Sequence, residues 1–377
     1  MPRHTGEVKT KSENKQAIYR FILRNGASTK QDIYTGLELS LPTIKQGLEL
    51  LEKENLITAA GKISNTGGRS AVVYQIAEDS FYSIGIYISQ HHLTAVCVNL
   101  AGEVIHSKRS YFVLNLQSDT YLKIIGDLVE DIKNALQIPP SRFLGVGIAV
   151  PSLVSEDGEN IIFGMTTDFT GITREVLAKY IPYPVWMYHD SHTAAFAELW
   201  QNPSLKNAIY LNLNNSIGSS IIIDGQIYNG NNHLAGELGH MVIQSNSGKR
   251  CYCGKIGCLD TMCSATVLDS YTDGNLKQFF DLLDKQDEQA LQIWDTYLDN
   301  LALAIHNIRM LLDCTFIIGG YVGSYIGIYI SDLRRRVDAL NIFTRYASQY
   351  VIPCSYKIEA TAAGAALLVI DQFISKL

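Results

Sequence analysis

The sequence predicts an α/β protein in which a winged helix-turn-helix head precedes two α/β lobes around a cleft. Within residues 1–76, three short helical patterns with capping signals are followed by two strand patterns. The segments 82–105 and 208–228 both predict strands joined by tight turns, and helical stretches follow each segment. A chain of 377 residues is also long enough for about two or three domains.

Charge is distributed unevenly along the chain. Residues 1–75 contain eleven Lys or Arg and seven Asp or Glu, whereas the remaining residues contain twenty and thirty. Because a basic segment attracts polyanions, this asymmetry favours nucleic-acid binding by the head and not by the body. The sequence has no run of eighteen apolar residues and no apolar N-terminal segment, so we expect neither a membrane span nor a signal peptide. Unpaired cysteine spacing outside one cluster favours a reducing cytoplasm.

The head starts with two predicted helices. Apolar residues fall on one helical face across residues 14–25, and Gly26 is a stop signal. Ser28 and Gln31 have the spacing of a capping box, which predicts that Ser28 is the N-cap of a second helix ending near Gly36.

A third helix is predicted from Ser40, a favourable N-cap residue, to about Asn55. Pro42 falls in its first turn, where the missing N–H costs nothing. The tight turn between the second and third helices is typical of a helix-turn-helix. We therefore expect the third helix to contact phosphates and base edges of double-stranded operator DNA through its solvent-facing residues, namely Ser40, Pro42, Thr43, Lys45 and Gln46.

Two strand patterns, residues 56–58 and 71–76, flank a polar loop that contains Gly67, Gly68 and Arg69. This pattern predicts a β-hairpin wing whose Arg69 enters a minor groove. We expect a homodimer or higher homo-oligomer, because one head covers too little DNA for operator-level specificity. The alternative is a small helical module for protein interaction, with charged residues that are simply solvated.

Three of the seven cysteines, Cys251, Cys253 and Cys258, fall within eight residues. An odd and closely spaced set cannot pair fully into disulfides, whereas thiolates offered together with the nearby His240 are typical ligands of structural Zn²⁺. The alternative is a group of buried free cysteines beside a surface histidine.

The pattern Glu-x-Gly-His, followed by Cys-x-Cys-Gly-x-x-Gly-Cys-x-Asp, resembles the signature of the ROK family of repressors, open reading frames and sugar kinases. The resemblance implies an actin-like (ribonuclease H-like) sugar-kinase fold and a structural zinc held by His240, Cys251, Cys253 and Cys258. The head resembles that of the xylose and N-acetylglucosamine repressor branch, which the sugar kinases lack. We expect domains at residues 1–76, at 80–195 together with 360–377, and at 196–359.

The same resemblance implies an effector site for a sugar or sugar phosphate. Asp190 matches the aspartate that acts as general base in the family's kinases, although His189 replaces the preceding asparagine. Ser152 replaces a glycine that precedes a sugar contact, and Asp260 replaces the usual glutamate. The implied site consists of Asp190, Glu237, His240, Asp260 and Ser152. The alternative for Asp190 is an N-cap of the helix that follows it.

The family's two phosphate-binding motifs are altered in this chain. Asp-x-Gly-Gly-Thr is replaced by Tyr87-Ile-Ser-Gln-His, and Gly-Thr-Gly-x-Gly is replaced by Asn214-Asn-Ser-Ile-Gly218. Phosphate cradles need glycines for close backbone approach and a carboxylate that places magnesium. We therefore expect no enzyme activity and interpret the chain as a sugar-responsive transcriptional repressor. The alternatives are a repressor controlled by a partner protein and an active sugar kinase carrying a regulatory head.

Overall fold

The computed structural model describes residues 10–63, 70–164, 169–246 and 248–377. Its helices are α1 (Lys11–Asn25), α2 (Lys30–Leu37), α3 (Leu41–Lys53), α4 (Asp119–Ala135), α5 (Arg174–Ala178), α6 (Asp190–Gln201), α7 (Asp260–Cys263), α8 (Ala265–Asp269), α9 (Leu276–Asp284), α10 (Glu288–Arg309), α11 (Gly320–Leu340) and α12 (Ala360–Ile374). Its strands are β1 (Ser28–Thr29), β2 (Ile57–Ile63), β3 (Ala71–Ile76), β4 (Tyr82–Ile88), β5 (His92–Asn99), β6 (Val104–Tyr111), β7 (Phe143–Val150), β8 (Leu153–Val154), β9 (Ile161–Phe163), β10 (Val185–His189), β11 (Ala208–Leu213), β12 (Ile217–Ile223), β13 (Gln226–Tyr228), β14 (Thr315–Gly319) and β15 (Val351–Pro353).

The start of α2 differs from the prediction by one residue. Thr29 is the N-cap and Asp32 completes the capping box, with the Asp32 carboxylate accepting from the Thr29 N–H at 2.8 Å. Ser28 lies instead in β1, where it pairs with Tyr74 of β3. The prediction of Ser28 and Gln31 was wrong because this strand pairing extends the backbone for one residue more. Asp32 is also favoured at this position by the helix dipole.

The third helix of the head starts where the sequence predicts. Ser40 is the N-cap of α3, and its Oγ accepts from the Thr43 N–H at 3.3 Å. A Cβ added at Gly47 would lie 2.4 Å from Cδ1 of Ile18, so α3 packs closely against α1. Strands β2 and β3 pair antiparallel beside these helices. The predicted wing tip, including Arg69, lies outside the described residues.

The body contains two five-stranded sheets of the same design, and each sheet with the helices packed on it is one lobe. The first has the order β10-β7-β4-β5-β6 and the second has the order β13-β12-β11-β14-β15. In each, an antiparallel three-strand meander lies beside two further strands that pair in parallel. The similarity predicted for the segments 82–105 and 208–228 is therefore present, and the α/β class predicted from the sequence is confirmed.

Helix α12 packs on the first sheet and approaches its backbone closely at two glycines. An added Cβ at Gly85 would lie 1.8 Å from the Ala362 carbonyl oxygen, and one at Gly147 would lie 2.2 Å from that of Ala365. On another side of α12, an added Cβ at Gly364 would lie 1.7 Å from the Thr193 carbonyl oxygen of α6. Helix α12 thus packs so closely against β4, β7 and α6 that these glycines could not carry a methyl group without a shift of the backbone.

The head contacts the end of α12. Nη1 of Arg20 in α1 donates to Oδ1 of Asp371 at 2.8 Å, and the Gln16 amide donates to the Ile374 carbonyl oxygen at 3.2 Å. The rings of Phe81 and Phe373 lie 5.1 Å apart beside these polar contacts. Among the described helices, none has the length and apolar character needed to cross a bilayer.

Candidate functional site

Four predicted metal ligands meet in the second lobe. The ligand atoms of His240, Cys251, Cys253 and Cys258 all lie within 4.8 Å of one another. Sγ of Cys253 is 3.7 Å from Sγ of Cys258, and Sγ of Cys251 is 3.6 Å from Nδ1 of His240. Tetrahedral metal–sulfur bonds of about 2.3 Å and metal–nitrogen bonds of about 2.1 Å require separations of about 3.8 and 3.6 Å. The four residues therefore fit a tetrahedral metal ion.

The local backbone explains how the three thiols converge. Gly254 and Gly257 have φ angles of 87° and 81°, which side chains with a Cβ rarely adopt. An added Cβ at Gly257 would also lie 1.8 Å from the Gln244 carbonyl oxygen. Burial raises the pKa of the Cys258 thiol to about 12, whereas the Lys255 N–H lowers the pKa of Cys253. Because thiolates are the metal-binding form, a bound cation would have to offset this desolvation at Cys258.

Beside this cluster lie three carboxyl groups from the two lobes, of which Asp190 and Asp260 are buried and Glu237 is exposed. Asp190 and Asp260 are 6 % and 8 % exposed, and burial raises the pKa of Asp190 to about 6. Partial desolvation raises the pKa of Glu237 and burial raises that of Asp260, while the nearby His240 opposes both shifts. The charge of Asp190 in turn raises the pKa of Glu237, so these two carboxyl groups from different lobes are close enough to interact.

Asp190 is not the N-cap of α6. That position belongs to His189, which makes no capping bond, and Asp190 is the first residue of the helix. Its Oδ1 accepts from Ser191 Oγ at 3.1 Å and its Oδ2 accepts from Tyr87 Oη at 3.3 Å. The alternative that Asp190 serves as an N-cap is therefore wrong, since its carboxylate faces other groups.

The remaining predicted effector residues have different environments. Oδ1 of Asp260 accepts from the Ile217 N–H at 2.6 Å, which fixes that carboxylate at the start of β12. Ser152 is buried just after β7, and its Oγ lies 2.8 Å from the position of an added Cβ at Gly164. Its hydroxyl thus faces the end of β9.

Side chains without a predicted role lie around Asp190 and join the two lobes. Tyr87 is 6 % exposed and its hydroxyl points at Asp190. The following turn is closed by Ser89, whose N–H donates to the His92 carbonyl oxygen at 2.9 Å. Across the cleft, the Arg109 guanidinium lies 5.0 Å from the centre of the Tyr321 ring, which joins β6 to α11 of the other lobe. The Tyr87–Asp190 and Arg109–Tyr321 contacts join distant segments, so sequence spacing carries no signal for them.

On α3, the predicted DNA-contacting residues present one polar surface. Ser40, Pro42, Lys45 and Gln46 are exposed and Thr43 is half-buried. The Ser40 hydroxyl lies 2.8 Å from the Thr43 hydroxyl, so it also stabilises the helix start. Two exposed apolar residues of the head, Tyr34 in α2 and Leu41 in α3, have no role predicted from the sequence.

Comparison with known proteins shows which family has this fold. The ROK family model matches residues 83–372, which is most of the chain. The chain belongs to the ROK family. The family resemblance predicted from the sequence is confirmed.

Named repressors align with most or nearly all of the chain. The xylose repressor of Bacillus spizizenii is 24 % identical over 375 residues, covering 97 % of this chain and 96 % of that protein. The N-acetylglucosamine repressor of Escherichia coli O6:H1 is 24 % identical over 272 residues, covering 71 % of this chain and 66 % of its own.

Solved ROK structures share the fold. A ROK transcriptional regulator described as a homologue of the E. coli MLC protein has a TM-score of 0.74 at 22 % identity and covers 97 % of both chains. A ROK glucokinase from Streptomyces griseus, solved with glucose and AMPPNP, has a TM-score of 0.65 at 19 % identity. It covers 76 % of this chain and 98 % of its own. The match to a sugar-kinase fold over the body agrees with the predicted fold class.

Proposed function

We propose that this ROK protein is a transcriptional repressor that binds operator DNA through its head and responds to a small carbohydrate. The full-length similarity to a protein named xylose repressor supports this proposal. The polar face of α3 supports the DNA-binding part, because exposed Lys45 and Gln46 are suited to a phosphate and a base edge. In the same proposal, Arg69 of the wing contributes a minor-groove contact.

The observation that carries the sugar-binding part is the meeting of carboxyl groups and one imidazole between the two lobes. Asp190 comes from the first lobe, whereas Glu237, His240 and Asp260 come from the second. Carboxylates accept hydrogen bonds from hydroxyl groups, and a neutral imidazole both donates and accepts. Such a set matches the repeated hydroxyls of a sugar. Ser152, on the edge of the first lobe, is the fifth member of the proposed site.

We also propose that the metal ion is Zn²⁺ and that its role is structural. Nδ1 of His240 faces the thiol of Cys251, so the metal would fix the imidazole by that nitrogen and leave Nε2 for a ligand. The ion contributes a rigid tetrahedral anchor for the effector residues of the second lobe.

In our proposal the chain has no kinase activity. Sugar phosphorylation needs a carboxylate that positions magnesium and backbone N–H groups that cradle phosphates. Here the Tyr87 hydroxyl donates a hydrogen bond to Asp190, and the Ser89 N–H donates to the His92 carbonyl oxygen within the same turn. The named repressors among the relatives agree with this view.

A sugar would act by changing how the lobes close. Its contacts come from both lobes, so it binds the closed arrangement more tightly and shifts the population towards it. Asp190 starts α6, α6 packs on α12, and α12 contacts α1 through Asp371 and Arg20. Movement of the first lobe is thereby linked to the orientation of the head. In a cytoplasmic homodimer or larger homo-oligomer, this would alter the spacing of paired heads on DNA.

The proposal is tested by selecting binding sites from a random pool of duplex DNA with the full-length protein. The selected site is then titrated by fluorescence anisotropy at about 0.15 M salt, with and without a panel of sugars and sugar phosphates. We expect one sugar to change the operator affinity by about 5- to 150-fold. Failure to enrich any sequence, or sugar phosphorylation with ATP and magnesium, would overturn the proposal.

A further inference from the structure

A cavity of about 530 Å³ lies beside the proposed effector site, on the outer side of β10. Strand β8 and the turn that follows it, residues 153–159, form one wall, β10 and the start of α6 form another, and residues of the loop 229–233 lie at the end. Its polar lining includes Glu156, His189, His192, Asn229 and His233. The volume falls within the range of about 300–1,000 Å³ that is typical of small-molecule sites.

His189 connects this cavity with the effector carboxylate. Its Nε2 lies 3.4 Å from Oδ1 of Asp190. Its Nδ1 is buried and has no hydrogen-bond partner in the part of the chain that the structure describes. A buried polar atom without a partner is costly, so a ligand that supplies one would be favoured.

Two more histidines extend the polar surface away from Asp190. The His192 ring stands edge-on to that of His189, with centres 4.7 Å apart. Nε2 of His233 lies 3.7 Å from Oε2 of Glu156 at the mouth of the cavity. His233 also has a φ of 57°, a conformation that asparagine tolerates better than most residues.

The cavity has both polar and apolar walls and offers no unpaired cation among its described lining residues. Burial lowers the pKa of His189 to about 4 and that of His192 to about 3, so both rings are neutral at pH 7. Arg174 is paired with Glu159, with Nη2 and Oε1 2.9 Å apart. Among the described residues, the group of side chains close enough to hold a metal ion is the one that contains His240. The three histidines of the cavity do not form a second such group. A phosphate or a metal ion is therefore a poor match, whereas hydroxyl groups suit neutral imidazoles as both donors and acceptors.

We infer that this cavity receives a further sugar ring, so that the effector is a disaccharide or longer glycoside whose inner ring lies at Asp190. The inference rests on the proposed function and specifies its ligand class. The inner ring contacts the carboxyl groups between the lobes. The outer ring contacts His192 and His233, and His189 lies between the two rings.

The inference is tested by calorimetric titration of the full-length protein with matched pairs of sugars: xylose and xylobiose, glucose and cellobiose, N-acetylglucosamine and chitobiose. For one pair we expect the disaccharide to bind at least about tenfold more tightly than its monosaccharide. The variants His192→Asn and His233→Asn should each remove most of this advantage. Asp131→Asn, a change in an exposed ion pair on α4, is the control and should keep it.

The outcomes separate the two proposals. A monosaccharide that binds as tightly as its disaccharide, or an advantage that survives in both histidine variants, overturns the outer ring site but leaves the repressor intact. Absence of binding by all six sugars overturns the sugar-sensing function and the outer site together. Each variant is first required to unfold at the wild-type temperature without ligand, and His233→Asn covers the case in which His192→Asn does not fold.

Discussion

The hydroxyl of Tyr87 donates a hydrogen bond to Oδ2 of Asp190 over 3.3 Å, although 103 positions separate the two residues. Tyr87 lies near the end of β4, and Asp190 is the first residue of α6. The pair places a neutral donor against the carboxylate at the base of the cleft. The proposed absence of kinase activity rests partly on this contact, because Tyr87 takes the place of the aspartate in the family's first phosphate-binding motif.

Tyr87→Phe removes this donor and should destabilise the protein by about 1–3 kcal/mol at pH 7.5, because a buried carboxylate loses a hydrogen bond. It should also weaken the response to sugar, since Asp190 becomes less constrained. Chemical denaturation of both proteins measures the first effect. The control is Tyr121→Phe, because the buried Tyr121 hydroxyl has no described partner and its loss should cost little. Equal losses in the two variants would contradict a specific role for the Tyr87 bond.

Asp190→Asn should change the pH dependence of stability. Burial raises the pKa of Asp190 to about 6 from a usual value of 3.8, so the folded protein holds the proton more tightly than the unfolded chain. The ionised group therefore costs stability above pH 6, and the cost vanishes below about pH 4. We expect the variant to be more stable by about 1–3 kcal/mol at pH 7.5 and no more stable than wild type near pH 4. A gain that is the same at both pH values would contradict this assignment.

Cys253→Ser should lower the metal content and the melting temperature together. The native protein is expected to purify with about one zinc ion per chain, because four ligands complete a tetrahedral site. Metal analysis and thermal unfolding of the same samples provide the measurement. Cys354→Ser, outside the cluster, should leave the zinc content unchanged. A wild-type protein that contains no zinc after purification without chelators would contradict the site.

Gln46→Ala and Lys45→Ala should weaken DNA binding in different ways. Gln46 is assigned to a base edge, so its loss should cost about 1–3 kcal/mol and relax specificity at one operator position. Lys45 is assigned to a phosphate, so its loss should weaken binding to all DNA sequences. It should also reduce the slope of the logarithm of the binding constant against the logarithm of salt concentration by about one. Anisotropy titrations at several salt concentrations distinguish these effects. Glu52→Gln, near the other end of α3, is the control, and a similar loss there would contradict the assignment.

The Arg20–Asp371 pair should contribute to stability only modestly. The side chains are 27 % and 28 % exposed, so solvent screens their attraction and we expect a coupling of about 0.5–1 kcal/mol. A double-mutant cycle with Arg20→Ala and Asp371→Ala measures this coupling by denaturation. The effect on the sugar response of DNA binding should be larger than the effect on stability, because this pair joins the head to α12. A full sugar response in the double variant would show that the head is linked by other contacts.

The sequence predicts best those features that depend on local spacing. Ser40 and α3 follow from capping rules, and the thiols of Cys251, Cys253 and Cys258 are close in the chain. The start of α2 at Thr29 was missed by one residue because a pairing with β3, more than forty positions away, extends the backbone there. A local rule contains no information about that pairing.

Features built from distant segments could not be predicted. Tyr87 and Asp190 meet because β4 and β10 both pair with β7, which aligns their ends in the sheet. The cavity beside His189 likewise needs the loop 229–233 from beyond the first sheet. Without those positions, His189, His192 and His233 are three isolated polar residues.

The three glycines that face α12 and α6 have a genetic consequence. Gly85, Gly147 and Gly364 touch neither the proposed sugar nor the DNA, yet each leaves no room for a methyl group against a backbone carbonyl. Substitution there would push apart the elements that connect the cleft to the head. A screen for repressors that remain permanently on their operators should therefore recover changes at these glycines as well as at ligand contacts, and such alleles would look unrelated to sugar recognition on a linear map of the gene.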